Sequence, residues 1–270
     1  QGAWERCRHY LGQITTTSPQ LQIASAALQI KVALAQQQYQ QALNQLASTS
    51  QSQPYQPLLP QLVIYYTQQA MPWEQLLALL PLVAQHKIAK RQNLAAINKV
   101  IYIALLKQAP KQQITQQQLL KLWHNTPQQL RLDPELLAKF VQLLLHEPNT
   151  IKEFELLIRK LLSQSWQPSL VLCYGLLPAD ASHQLKFITA CYKQYGRNAL
   201  LLLSAGRLAS RCELWGQAKT YLLESLNKEA RADTNLALAA LFTKLGEERL
   251  ALSYYQAASQ YHEQFYQANL

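Results

Sequence analysis

Lys31, Tyr65 and Lys99 stand thirty-four residues apart. In a chain that repeats with that period they would share one face as a column, and two cations in such a column suit an acidic peptide or a terminal carboxylate. Arg207, Arg211 and Lys244 fall on or near the equivalent face when counted from the small residues of their own helices. Other chemistry has little to work with. His9, His86, His124, His146, His183 and His262 are scattered, with no CxxCH or Cys-Pro element for haem ligation. Cys7, Cys173, Cys191 and Cys212 form no CxxC pair and read as small buried hydrophobes of a reducing compartment. Ser204 and Ser210 lie on helical patterns without a strand–turn–helix elbow or a His–acid partner. Glu247–Glu248 and Glu153/Glu155 read as acids at helix starts. No catalytic residue and no metal ligand is assigned, and a non-enzymatic protein is expected.

The elements that must position these side chains are helices. The chain has 270 residues, 49% of them hydrophobic, only seven glycines and hardly any alternation of β-branched residues, which favours an all-α protein. No apolar run approaches the roughly 18 residues of a membrane span, and QGAWERCRHY does not read as a signal peptide, so the chain as given is expected to be soluble. The pattern is clearest at 201–228, LLLSAGRLASRCELWGQAKTYLLESLNK. It reads as two amphipathic helices around a turn at 212–214. Ala205 and Gly206 on the first let the second cross closely, and Trp215, Ala218, Leu222 and Ser225 fall on one stripe of the second.

This order of small and large residues resembles a tetratricopeptide (TPR) repeat, whose period is about 34 residues. The Trp215 position is matched by Trp4, Tyr39 and Trp73; Gly206, Ala218, Leu222 and Ser225 map thirty-three residues on to Ala239, Ala251, Tyr255 and Ala258. Helices are expected at 20–36, 39–46, 58–69, 73–85, 93–108, 116–124, 168–177 and 182–195, with 48–57 a loop inside a repeat. Asp133-Pro134-Glu135 is a helix start, and Thr150 with Glu153 predicts a capping box for a helix at 151–162. The expected fold is an all-α, right-handed TPR-like solenoid of about seven helix pairs plus a leading half repeat, in one superhelical domain. Within it, 1–18 is the second helix of a truncated repeat, 20–130 the basic N-terminal repeats, 133–195 degenerate repeats and 198–266 regular ones. Because Gly2 and Trp4 open in mid-motif, upstream sequence is expected.

Charge is unevenly placed. The chain carries 25 Lys and Arg against 15 Asp and Glu, a net +10. Up to residue 132 the only acids are Glu5 and Glu74, against eleven bases, so that stretch holds +9 and the remainder +1. Such a half suits an anionic neighbour or is a solvated face. Lys87, Lys90 and Arg91 are its candidate membrane-surface patch. Basic residues interleave with Trp and Tyr, but no nucleic-acid-binding module is present and no nucleic-acid partner is expected.

Three segments together resemble the HemY family of Gram-negative inner-membrane proteins associated with haem biosynthesis: 206–226 (GRLASRCELWGQAKTYLLESL), 72–88 (PWEQLLALLPLVAQHKI) and 119–144 (LLKLWHNTPQQLRLDPELLAKFVQLL). The likeness runs in the same order as in the family to about residue 262. An unrelated flavin-dependent protoporphyrinogen oxidase shares the name, but its Gly-rich dinucleotide fingerprint is absent. The resemblance implies two membrane helices upstream and a cytoplasmic TPR domain acting late in haem metabolism. The basic half would then meet the anionic leaflet, each well-placed Lys or Arg contributing about 1 kcal/mol. The expected function is a scaffold that binds haem-biosynthesis enzymes in its concave groove through Lys31, Tyr65, Lys99, Arg207, Arg211 and Lys244, without a cofactor. The alternatives are a porphyrin or haem carrier, whose ring propionates would meet the same cations, and a general chaperone or secretion adaptor. Tyr65, Tyr66 and Tyr102 could cover a flat ring, although such stripes usually pack a core.

Overall fold

The computed structural model describes residues 91–268, residues 19–36, and the isolated positions Arg6, Tyr10, Gln38, Gln41, Trp73 and Leu77. Among these residues the structure is helical throughout, with turns and no strand. The chain divides into two compact units, Gln1–Gln118 and Leu119–Leu270. The expected helices at 39–46, 58–69 and 73–85 and the half repeat at 1–18 lie outside the described residues, apart from those isolated positions. So do Tyr65, Tyr66, Lys87 and Lys90, and the side chains of Lys31 and Arg91.

In the first unit, α1 (Pro19–Ala35) begins on a proline, which is tolerated there because the first N–H groups of a helix have no intrahelical partner. α2 (Arg91–Gln108) buries Ile101, Tyr102, Leu105 and Leu106. Tyr102 is therefore core. Trp73 is also buried, in keeping with its reading as a packing wedge, and its backbone N–H donates to Gln112 Oε1 at 2.7 Å. Ahead of α3 (Gln116–Asn125), Thr115 and Gln118 form a reciprocal cap. Gln118 N–H donates to Thr115 Oγ1, and Thr115 N–H donates back to Gln118 Oε1.

The second unit continues with a short turn of helix, α4 (Gln128–Arg131), then α5 (Pro134–Leu143), α6 (Pro148–Gln164), α7 (Pro168–Leu176) and α8 (Ala181–Tyr195). It ends with α9 (Ala199–Arg211), α10 (Trp215–Lys228), α11 (Ala232–Lys244) and α12 (Glu248–Ala268). Asp133 caps α5 as its sequence requires, its Oδ1 accepting from the N–H groups of Glu135 and Leu136 at 3.1 Å. The capping box expected at Thr150 and Glu153 is not formed. α6 starts at Pro148, and Thr150 Oγ1 donates to the Glu147 carbonyl instead. Glu153 is drawn away by a stronger need. Trp123 is fully buried, edge-on to Phe140 and Phe154, and its indole N–H donates to Glu153 Oε2 at 2.9 Å while Arg131 Nη1 donates to Oε1 at 3.1 Å. A buried indole N–H without an acceptor would cost about 1–3 kcal/mol.

Packing in this unit follows one order. α9 lies against α7, α8, α10 and α11, α5 lies against α7, and α11 against α12. Side chains tie helices or their ends to backbone carbonyls, among them Ser225 Oγ to Ala199 across 26 residues, and four of these bonds share a similar, longer separation. Cys173 Sγ donates to Ala138, Tyr195 OH to Leu162, Ser204 Oγ to Val171 and Arg211 Nη1 to Leu177, which are 35, 33, 33 and 34 residues apart. Gly206 permits the closest crossing: a Cβ there would lie 2.5 Å from Leu222 Cγ. Leu222 and Ala218 are buried with Leu203, Leu238 and Phe242, and the half-buried Trp215 packs against them. This is the stripe read from 201–228.

Its copy thirty-three residues on holds for Ala239, Ala251 and Ala258, all buried, but not for Tyr255, which is exposed. Residue 239 carries the Cβ that residue 206 lacks, so a large side chain cannot settle over it as Leu222 does over Gly206. Tyr254 stacks on Phe242 instead, with centroids 5.5 Å apart.

Both C-terminal hairpins turn through a left-handed residue, Glu213 (φ 59°) and Gly246 (φ 76°), followed by matching bonds from Leu214 N–H to Ala209 O and Glu247 N–H to Phe242 O. Only the second uses glycine. Glu213→Gly is expected to stabilise the unit by about 0.5–1 kcal/mol, because glycine carries no penalty at positive φ. A rise in the urea midpoint would report it.

Candidate binding groove

Within the second unit, α7, α9, α10 and α11 line a groove of about 310 Å³. Its apolar surface includes Leu176 and Leu236, and its cations are Arg207, Arg211 and Lys244. Three of the six residues expected to line a groove are therefore brought together. Lys99 is half-buried in the first unit. The proposed column with Lys31 and Tyr65 falls outside what the structure describes.

The three cations differ in what already holds them. Arg211 is a brace. Its Nη1 donates to the Leu177 carbonyl at 2.7 Å and to Gln184 Oε1 at 3.1 Å, and its Nη2 donates to the Ala179 carbonyl at 2.6 Å. It fastens the link between α7 and α8. Gln184 is itself buried, with its Nε2 donating to the Tyr174 carbonyl. Lys244 carries its ammonium 5.8 Å from the centre of the Trp215 ring, a cation–π placement that leaves its donors open to the groove.

Arg207 is the least satisfied. Its side chain is only 16% exposed, and among the described residues it makes no hydrogen bond. Asp233 Oδ1, near the start of α11, is 3.9 Å from its Nη2, an ion-pair distance beyond hydrogen-bond reach. Burial pulls the Arg207 pKa down, and Asp233 acts in the opposite sense; the guanidinium stays charged. Sequence reasoning missed Asp233. Its only signal was an acid in the first turn of a helix, where the macrodipole favours one.

Nearby nucleophile types are committed to structure. Burial pushes the Cys173 thiol up to about 11 despite the opposing charge of Arg207, so it is a neutral thiol that donates to Ala138 O. The Ser204 hydroxyl, fully buried, donates to Val171 O. Among the described residues, no group of three or more His, Cys, Asp or Glu side chains could hold a metal ion. No described helix is long and apolar enough to cross a membrane.

Away from the groove, Arg197 lies over the Tyr192 and Tyr221 rings and donates to both carboxylate oxygens of Glu224. That hydrogen bonding holds the Glu224 carboxyl below its ordinary value of 4.5. A carboxylate with a depressed folded-state pKa adds stability that is complete above the unfolded value and lost as pH falls through the folded one. Stability should therefore drop more below pH 4.5 in the native chain than in Glu224→Gln, read from urea midpoints across that range.

No protein-family model matches the chain, and no curated protein matches it.

Proposed function

We propose that the chain is a TPR-like α-solenoid of the HemY family, and that it is a non-enzymatic scaffold whose groove holds segments of partner proteins. The solenoid reading is supported by four bonds between helices or their ends that each span 33 to 35 residues and by the packing of α5 on α7, α7 on α9 and α9 on α11. The family reading, and with it the membrane tether, the cytoplasmic placement and the haem-biosynthesis partners, rests on the likeness of 72–88, 119–144 and 206–226. The basic N-terminal half, with Lys87, Lys90 and Arg91, would engage anionic lipid in the tethered protein.

The observation that carries the binding function is the groove itself. An apolar surface meets three cations, and no carboxylate belongs to its lining among the described residues. Apolar anchors supply affinity, and the charges supply steering and orientation.

A porphyrin carrier is the second reading, because the same cations suit ring propionates. At about 310 Å³ the groove is at the lower end of sites that enclose a drug-sized ligand, roughly 300–1,000 Å³, which favours a few side chains over a whole tetrapyrrole. Titration with haemin and with protoporphyrin separates the two. The scaffold reading predicts no saturable spectral change that depends on the groove. A saturable shift abolished by Arg207→Gln with Lys244→Gln would establish the carrier instead.

A further inference from the structure

Asp233 stands between two arginines and is close to neither. Its Oδ1 lies 3.9 Å from Arg207 Nη2 and its Oδ2 lies 4.0 Å from Arg231 Nη2. Arg231 in turn holds Glu229 at 2.8 Å through Nη1, yet among the described residues its buried Nε has no hydrogen-bond partner. A buried donor without an acceptor is uncommon and marks a place where an acceptor is missing. On the other side, Arg207 faces the groove and among the described residues makes no hydrogen bond of its own. Asp233 is about half exposed.

We infer that Asp233 is a displaceable counter-ion for the groove: a partner segment bearing a carboxylate beside a leucine-like side chain docks that carboxylate on Arg207, and Asp233 passes to Arg231. The inference rests on the groove-binding function proposed above and adds the chemistry of the partner. A carboxylate is required because Arg207 and Lys244 face the groove with donors that a neutral segment would leave unmatched. An aliphatic neighbour is required because Leu176 and Leu236, both exposed, flank those cations and gain by being covered. Asp233 balances the charge of Arg207 while the groove is empty. Its long distance means that the incoming carboxylate breaks an ion pair but no hydrogen bond.

The test uses a fluorescein-labelled helical peptide with Leu and Glu side by side on one face, and its Glu→Gln counterpart, titrated at low salt and monitored by anisotropy. The Glu peptide should bind native protein, and Arg207→Gln should weaken it roughly tenfold or more. Asp233→Asn should bind it roughly threefold to fivefold tighter, since one exposed ion pair no longer competes. Glu147→Gln, which removes the same charge outside the groove, should leave affinity unchanged. Arg231→Gln should weaken binding in the native background and have no effect in Asp233→Asn. Asp233→Ser, which removes the same charge with a smaller side chain, repeats the gain if the asparagine variant is unstable.

If the Glu peptide binds through Arg207 but Asp233→Asn and Asp233→Ser bind no tighter than native protein, the counter-ion exchange is wrong and the groove-binding function stands. If Glu147→Gln tightens binding equally, the effect is net charge and the exchange is wrong. If the Gln peptide binds as well as the Glu peptide, the partner chemistry is wrong. If neither peptide binds and haemin does, the scaffold reading fails with it.

Discussion

Gly206→Ala will destabilise the second unit by about 1–3 kcal/mol, although alanine is the better helix former by about 1 kcal/mol. The sign is set by distance. The added Cβ would sit 2.5 Å from Leu222 Cγ, 2.6 Å from its Cδ2 and 3.4 Å from the Ala218 carbonyl oxygen. Leu222 cannot swing aside, because it is buried among Leu203, Ala218, Leu238 and Phe242. Either α10 moves off α9 or Leu222 leaves its rotamer, and both disturb a close-packed core. The control is the same change in a Leu222→Ala background. There the obstacle is gone, and Gly206→Ala should raise stability by up to about 1 kcal/mol through helix propensity alone. Urea unfolding of the four variants gives the coupling directly. A neutral Gly206→Ala in the native background would mean that the helices do not cross as closely as the structure has them.

Arg207 and Arg211 lie one helical turn apart on α9, and their substitutions should separate cleanly. Arg211→Gln removes three hydrogen bonds to Leu177, Ala179 and Gln184. The bond to Ala179 is exposed and water replaces it, but those to Leu177 and Gln184 are partly buried, so a loss of about 2 kcal/mol is expected. Arg207→Gln removes a buried charge whose nearest carboxylate is 3.9 Å away. Relief of that desolvation offsets the lost ion pair, and stability should change by less than about 1 kcal/mol, in either direction. Binding should show the reverse pattern: weakened roughly tenfold or more in Arg207→Gln, and kept in Arg211→Gln at temperatures where it is folded. Urea midpoints beside peptide titrations check both, and equal effects on stability would contradict the division of roles.

The helix pattern was legible because it depends on local rules. The faces that α9 and α10 press together follow from small and large residues at helical spacing, and Asp133-Pro134 announces α5 through one capping side chain. Glu153 was misread because its real partners, the Trp123 indole and Arg131, are thirty and twenty-two residues away and leave no mark on the residues around it. The reciprocal cap at Thr115 and Gln118 does carry a local signature, Thr-x-x-Gln. Counting from the small residues of their own helices grouped Arg207, Arg211 and Lys244, and all three line one groove. It could not tell a brace from a binding residue. The acceptors that hold Arg211 include backbone carbonyls, which every residue has, so side-chain identity says nothing about them. Asp233 was equally hidden, since its relation to Arg207 needs the distance between two helices.

The claim that this groove receives a partner's polypeptide is tested most directly by a photo-crosslinking residue placed in the full-length protein in its own cell. At Leu236, which is exposed and lines the groove, irradiation should give a discrete protein adduct that disappears with Arg207→Gln. The same residue at Leu156, which is more exposed but lies outside the groove lining, should give none. Identification of the adduct by mass spectrometry should return an enzyme of haem biosynthesis, with the crosslink beside an acidic residue. No adduct at Leu236, or one that persists undiminished in Arg207→Gln, would contradict the account.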